Sequence, residues 1–175
     1  MAIEEADYRI VFKEKTFEVR LYEPHIVAET VVDGEFDGAG KKSFNRLFKY
    51  ITGNNTSQQK ISMTSPVGQQ QDASGDWAVS FMMPGNYSMA TLPEPKDPLV
   101  VLKQVPSSYV AAARYSGAWS EKRYLHYKEL LDAWVAENKF SVDGETMWAR
   151  YDAPYKPWFL RRNEVLIPIE KPRFK

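Results

Sequence analysis

The sequence lacks cysteine altogether, contains only two histidines, and carries no net charge. The absence of cysteine excludes disulfide bonds, thiolate nucleophiles and thiolate ligands for zinc or haem iron. Because 23 basic residues balance 23 acidic ones, the chain also lacks the broad positive charge that is typical of nucleic-acid-binding proteins. We therefore expect neither thiol chemistry nor a nucleic-acid partner.

Long apolar runs and catalytic signature motifs are absent as well. No run approaches the roughly 20 apolar residues that a membrane-spanning helix needs, and the acidic N-terminal segment resembles neither a signal peptide nor a transit peptide. No HExxH, GxSxG or P-loop motif occurs, and the glycines at 34, 38 and 40 have the wrong order for a dinucleotide site. We expect a cytoplasmic protein with no membrane span and predict no catalytic residue.

The sequence has ample apolar and aromatic content, at 43% and 14% of 175 residues, which suits a single domain over residues 1–175. Phe44, Leu47, Phe48 and Ile51 recur at helical spacing before the stop at Gly53, so the spacing predicts a helix beginning near Ala39. Two apolar segments, 60–67 and 77–83, follow on either side of a polar turn region at 68–76. They predict a hairpin.

The remaining segments alternate between strand and helix patterns. Residues 8–22 alternate apolar and charged positions and predict one half-buried strand, whose apolar face carries Phe17, Val19 and Leu21. A second helix is predicted from Ser120 to about Asn138, with one apolar stripe. Further strands are predicted at 26–32, 99–102, 109–115, 146–151 and 159–169.

The order strand, strand, helix, strand, strand therefore occurs twice, at an offset of 82 to 84 residues between matching prolines and methionines. This predicts two repeat halves, at about 8–84 and 99–169, joined by a proline-rich connector at 85–98. Each half has one helix and cannot cover both faces of its own strands, so the halves are expected to share a sheet. The predicted fold class is α+β, with two pseudo-twofold βαβ-type repeats.

Five ordered segments resemble the SOUL/haem-binding protein family: 17–22 (FEVRLY), 45–55 (NRLFKYITGNN), 60–67 (KISMTSPV), 79–84 (VSFMMP) and 161–165 (RRNEV). The likeness extends over roughly residues 8–170. It implies a distorted antiparallel, β-barrel-like sheet flanked by two long helices. It implies less about activity, because a fold does not fix a function.

The segment at 155–162 (YKPWFLRR) is the most informative candidate for binding. Tyr155 and Trp158 offer stacking area beside the cations Lys156 and Arg161, on a loop stiffened by prolines, which suits a flat apolar anion. The alternative is that Trp158 and Phe159 enter the core as the last strand begins. The family resemblance implies a tetrapyrrole groove between this loop and the first helix, where it points to Arg46 and Tyr50.

Iron ligands are harder to find. Met63, Met82, Met83 and Met147 lie in predicted strands, where packing is the commoner role of methionine; Met63 is included among the candidate ligand-binding residues. His25 and His126 both look solvent-facing, and no metal site is predicted, with His25 as the candidate axial ligand if iron is coordinated.

Three functions remain open from the sequence. The first is a small-molecule binding protein for haem or a related porphyrin, acting as a carrier or buffer through an apolar groove with a cationic rim. The second is a sensor or hydrolase for another lipophilic molecule on a gyrase-inhibitor-like fold, for which a buried carboxyl among aromatic walls is expected. The third is a protein-interaction module without a ligand.

Overall fold

A computed structural model describes residues 2–174 and divides the chain into two compact units. The first unit comprises residues 24–106 together with the N-terminal segment up to Ala6. The second unit comprises residues 7–23 and the chain from Ser107 onward. The units therefore differ from the predicted sequence halves, because residues 7–23 belong with the second half of the chain. The prediction of a single domain stays a prediction.

The helices and strands follow one another along both units. The elements are β1 (Glu4–Glu5), β2 (Tyr8–Glu14), β3 (Phe17–Tyr22), β4 (His25–Val32), α1 (Phe36–Ile51), β5 (Thr64–Ser65), β6 (Val67–Gln71), β7 (Trp77–Met82), β8 (Val101–Val105), β9 (Ser108–Ser116), α2 (Glu121–Glu137), β10 (Met147–Arg150), a 3-10 turn (Trp158–Leu160) and β11 (Arg162–Ile169).

Strand order shows how the two repeats are built. In the first unit the antiparallel order is β6, β7, β4, β8, and in the second unit it is β10, β11, β9, β3, with β2 added outside β3. Position by position, β6 corresponds to β10, β7 to β11 and β4 to β9. The fourth strand of each unit comes from the other half of the chain. The α+β class and its pseudo-twofold repeat are thus confirmed.

Helix α1 packs on the first unit through Leu47, Tyr50 and Ile51, which are buried together with Val79 and Phe81 of β7. Phe44 is partly buried against Phe81, with 5.2 Å between ring centroids. Phe48, expected on the buried face, instead lies largely exposed and stacks on Phe44. The buried stripe is shifted toward Tyr50 because the covered face continues through Ser43 and Ala39.

Helix α2 begins where the sequence predicted. The Ser120 side chain caps it by accepting a hydrogen bond from the Arg123 backbone N–H at 3.2 Å. Its buried residues are Tyr124, Leu131, Trp134 and Val135, which confirms the predicted apolar stripe. Gly117, just before this helix, has φ of +134° and sits so close to Arg123 that an added Cβ would lie 2.6 Å from the guanidinium.

Several predicted boundaries were wrong. Residues 8–22 form a hairpin of β2 and β3 rather than one strand, because Lys15 adopts φ of 56° and turns the chain. Helix α1 begins at Phe36 after Glu35, three residues earlier than expected, so Gly38 lies inside the helix. The hairpin of β6 and β7 begins at Val67, since the predicted turn region at 68–76 supplies most of β6.

Candidate functional site

The loop at 153–161 joins β10 to β11 in the second unit and exposes four large apolar side chains. Tyr155 is 90% exposed, Trp158 58%, Phe159 56% and Leu160 57%. The alternative that Trp158 and Phe159 enter the core is therefore wrong. Residues 158–160 form the 3-10 turn. The rings of Trp158 and Phe159 meet edge to face, with 5.6 Å between their centroids.

Arg161 fastens this loop from within. Its Nε donates to the carbonyl oxygen of Lys156 at 2.9 Å and its Nη2 donates to that of Pro154 at 2.6 Å. The guanidinium also lies 4.5 Å from the ring centroid of Trp119, a cation–π distance. A guanidinium has five N–H donors, and the contacts of Arg161 within residues 2–174 use two of them, which leaves three for an anion.

Lys156 and Asp152 form the second fastening. Lys156 Nζ lies 2.6 Å from Asp152 Oδ1, and Asp152 Oδ2 accepts the backbone N–H of Arg162 at 2.6 Å. Partial burial raises the pKa of Asp152, but the hydrogen bond and charge of Lys156 outweigh it and hold the pKa below its ordinary value. Asp152 is thus a stable anion that positions both ends of the loop.

The structure places the predicted residues of the first unit in different surroundings. Arg46 is mostly buried; its Nη1 donates to Thr30 Oγ1 at 2.7 Å, and its Nε lies 3.5 Å from Asp97 Oδ2. Tyr50 is buried in the core, where its hydroxyl donates to the Pro93 carbonyl at 2.7 Å. Burial raises the pKa of Tyr50 to about 12, so Tyr50 acts as a neutral hydrogen-bond donor within the unit.

The structure also shows where the candidate iron ligands lie. Met63 precedes β5 and is about one-third exposed, whereas Met82 and Met83 are buried. His25 is the first residue of β4 and is partly buried, while His126 is exposed on α2 with its ring edge against Tyr127. Met82 ends β7 and Met83 follows it directly, whereas Met63, His25 and His126 belong to other segments of the chain.

A buried ionic network in the second unit escaped the sequence prediction. Glu164 of β11 is 0% exposed, and its two carboxylate oxygens accept from Arg20 of β3 at 2.6 and 2.9 Å. Arg162 Nη2 lies 2.8 Å from Glu164 Oε1, and the Tyr151 hydroxyl donates to Oε2 at 3.0 Å. Arg20 also donates to the Tyr22 hydroxyl at 3.0 Å. The Glu164 carboxylate is thus buried between two guanidiniums, with tyrosine side chains around it.

The network fixes the charge of each member. Burial raises the pKa of Glu164, yet its hydrogen bonds and proximity to Arg20 outweigh this and leave the pKa lowered. Burial lowers the pKa of Arg20, but Glu164 outweighs it and the pKa is raised. Burial also raises the pKa of Tyr22 to about 12. At neutral pH Glu164 is ionised, so it has no proton to donate as a general acid. Its ion pairs with Arg20 and Arg162 also make it a weak base.

The sequence signal for this network was the pattern of β3. The predicted apolar face of Phe17, Val19 and Leu21 left the alternate positions Glu18, Arg20 and Tyr22 facing solvent. Arg20 and Tyr22 are instead buried along with Val19. Tyr22, which lies among the charged positions, is the sequence feature that could have indicated that both faces of β3 are covered. The partner Glu164 lies far away in sequence, and no local pattern joins it to Arg20.

Of the predicted ligand-binding residues, the structure brings Tyr155, Lys156, Trp158 and Arg161 together on one loop. Arg46, Tyr50 and Met63 lie in the first unit. No helix in residues 2–174 is long and apolar enough to cross a membrane. In the same residues no group of three or more histidine, aspartate or glutamate side chains is arranged to hold a metal ion.

Comparison with solved structures gives the fold. The C-terminal domain of EcmrR is similar over 94% of this chain and 98% of that one, with a TM-score of 0.70 and 12% identity. A hydrolase from Listeria innocua is similar over 91% and 94% of the two chains, with a TM-score of 0.63 and 12% identity. These likenesses concern the fold alone.

Sequence comparison gives the family. The model described as SOUL heme-binding protein matches residues 3–168. Heme-binding protein 1 of Xenopus tropicalis and that of Xenopus laevis are each 30% identical over 156 residues, which cover 85% of this chain and 81% of those proteins. The chain belongs to the SOUL heme-binding protein family.

Proposed function

We propose that this protein binds haem or a related tetrapyrrole, held by the loop at 153–161, and that it serves as a carrier or buffer. The observation that carries the proposal is the exposure of Tyr155 and Trp158 beside Lys156 and Arg161 on one fastened loop. Membership of the SOUL family and the 30% identity to proteins named Heme-binding protein 1 support the class of ligand.

The loop fits the two ends of such a ligand. Trp158 and Tyr155 offer aromatic faces for an apolar macrocycle. Within residues 2–174, Arg161 uses two of its five N–H donors, and the Lys156 side chain stays 39% exposed beside its ion pair with Asp152. Both can therefore meet carboxylates at little cost. Tyr50 is not part of the proposed contact set because its hydroxyl is bonded inside the core.

The residues predicted in the first unit are a separate part of the proposal. Arg46 already contacts Thr30 and Asp97, so a ligand carboxylate would have to compete with Asp97. Met63 offers a partly exposed thioether for apolar contact. Single variants Arg46→Ala and Met63→Ala test each contribution by its effect on porphyrin affinity.

Affinity should rest on apolar contact and carboxylate pairing more than on an iron ligand. The experiment titrates haem and its metal-free porphyrin into the wild type, His25→Ala and the double variant Trp158→Ala/Arg161→Ala. We expect the two ligands to bind with similar affinity, His25→Ala to retain binding, and the double variant to weaken both ligands by about tenfold or more.

The matched control removes an exposed apolar residue and a cation elsewhere, through Leu125→Ala/Lys122→Ala on α2. It should bind both ligands as the wild type does. Much weaker binding of the metal-free porphyrin, or loss of binding in His25→Ala with the loop variant intact, contradicts the proposed site. The carrier role is checked by the rate at which bound haem moves to excess apomyoglobin, which should occur without protein unfolding.

The sensor or hydrolase alternative gains no support from the buried carboxylate. That function is expected to use a buried carboxyl among aromatic walls, with its pKa raised toward that of a useful acid or base. Glu164 has aromatic neighbours, but Arg20 and Arg162 compensate its charge and its pKa is lowered.

A further inference from the structure

The apolar tip of the 153–161 loop points in more directions than one flat ligand can cover. Successive residues of a 3-10 helix are about 120° apart, so Trp158, Phe159 and Leu160 fan out around the turn. All three are more than half exposed. Phe159 and Leu160 face water, and a planar macrocycle stacked on Trp158 would not cover them, so both are available to another partner.

The tip is held outward rather than left loose. Arg161 bonds the carbonyl oxygens of Lys156 and Pro154, and Asp152 bonds both Lys156 and the Arg162 backbone. These contacts close the base of the loop, and the apolar residues of the 3-10 turn are exposed beyond it. An apolar cluster displayed on a closed base is typical of an interaction surface.

Its composition matches the interfacial region of a lipid bilayer. Tryptophan and tyrosine favour the boundary between headgroups and acyl chains. Of the two cations in residues 153–161, Lys156 is paired with Asp152, whereas Arg161 contacts neutral carbonyls and brings a positive charge to this surface. Arginine extends its charge toward phosphates while its stem stays in apolar surroundings. A bilayer can surround a fan of side chains on every side, which a flat ligand cannot.

The size of the patch favours this partner over a second copy of the chain. Four partly exposed side chains amount to roughly 400–600 Å², whereas a stable protein interface needs about 800 Å² from each partner. We propose that the Trp158–Leu160 turn inserts into the interfacial layer of membranes that contain anionic lipid, with Phe159 and Leu160 as the inserting residues. This binding goes beyond the proposed tetrapyrrole function and does not depend on it.

The test is flotation of the full chain with phosphatidylcholine vesicles, with and without phosphatidylserine. The wild type should float with both and several-fold more with phosphatidylserine. Phe159→Ser/Leu160→Ser should lose vesicle binding by on the order of tenfold or more, because two apolar insertions are removed. Leu125→Ser/Leu130→Ser, which removes two similarly exposed leucines from α2, should float as the wild type does.

Haem titration of the same variants separates this inference from the proposed function, since Phe159 and Leu160 are outside the proposed ligand contacts. Retained haem affinity with lost vesicle binding is the expected result. The inference is overturned if the wild type does not float, if both double variants float equally, or if sedimentation shows a dimer that Phe159→Ser/Leu160→Ser abolishes.

Discussion

Two regions of the second unit contain arginine, and they use this residue type in opposite ways. Arg20 and Arg162 meet the Glu164 carboxylate in a buried, tyrosine-walled network. Among residues 2–174, Arg161 meets two backbone carbonyls and a tryptophan ring, beside exposed aromatics. A guanidinium paired with a buried carboxylate is committed to the fold. One bonded to neutral carbonyls keeps its charge for a partner.

The largest expected effect is from Glu164→Ala. Removal of this carboxylate deprives Arg20 of its fully buried partner and leaves it the partly exposed Glu18, whose Oε2 accepts from Arg20 Nε at 2.8 Å. Breaking a buried ion pair from one side costs about 3–5 kcal/mol. Urea unfolding measures the loss. A change below about 1 kcal/mol would mean that the network contributes little to the fold and that the comparison with the loop fails.

Acid should weaken the buried network around Glu164. Because the pKa of Glu164 is lowered in the folded protein, its contribution is fully present above the ordinary value of 4.5 and is lost as the pH falls through the folded pKa. Unfolding free energy of the wild type should therefore fall with acidification below about pH 4.5. Glu164→Gln should show a shallower fall over the same window; an identical slope would contradict the assignment.

Arg161→Lys should separate local order from global stability. Lysine keeps the charge but cannot reach two carbonyls and stack at once, so the loop should open more often. We expect faster proteolytic cleavage within 153–161, while the free energy of unfolding changes by less than about 1 kcal/mol. Arg20→Lys is the matched change in the network and should lower global stability instead.

The smallest expected effect is from Lys156→Ala. Its ion pair with Asp152 is partly in solvent, and such pairs contribute about 0–1 kcal/mol. Urea unfolding should hardly change, while affinity for a porphyrin with carboxylates should fall. Equal losses of unfolding free energy in Lys156→Ala and Glu164→Ala would contradict the difference between the two regions.

The sequence predicted the fold more completely than it predicted the candidate site. Helical spacing located α1 and α2, and the repeated order of elements predicted the pseudo-twofold repeat, because both depend on local periodicity. The same local view joined β2 and β3 into one strand, since only the positive φ of Lys15 separates them. It also assigned Arg20 to an exposed face.

The candidate loop was predictable because its aromatics, cations and prolines are contiguous. The exposure of Phe159 was not, since an apolar residue before a strand usually enters the core. The placement of Tyr50 depended on a carbonyl 43 residues away. Contacts at such separations leave no periodic trace in the sequence.

The exchange of the fourth strand between the two halves has a consequence for synthesis of the chain. Strand β3 pairs with β2 on one side and with β9 on the other, so it emerges from the ribosome with one row of backbone groups lacking a neighbour. Its second neighbour is complete only at Ser116, and at the usual rates of elongation the wait lasts about 5–20 s. During that time the nascent chain presents an open sheet edge to other polypeptides, and a chaperone that shields β3 would raise the yield of folded protein.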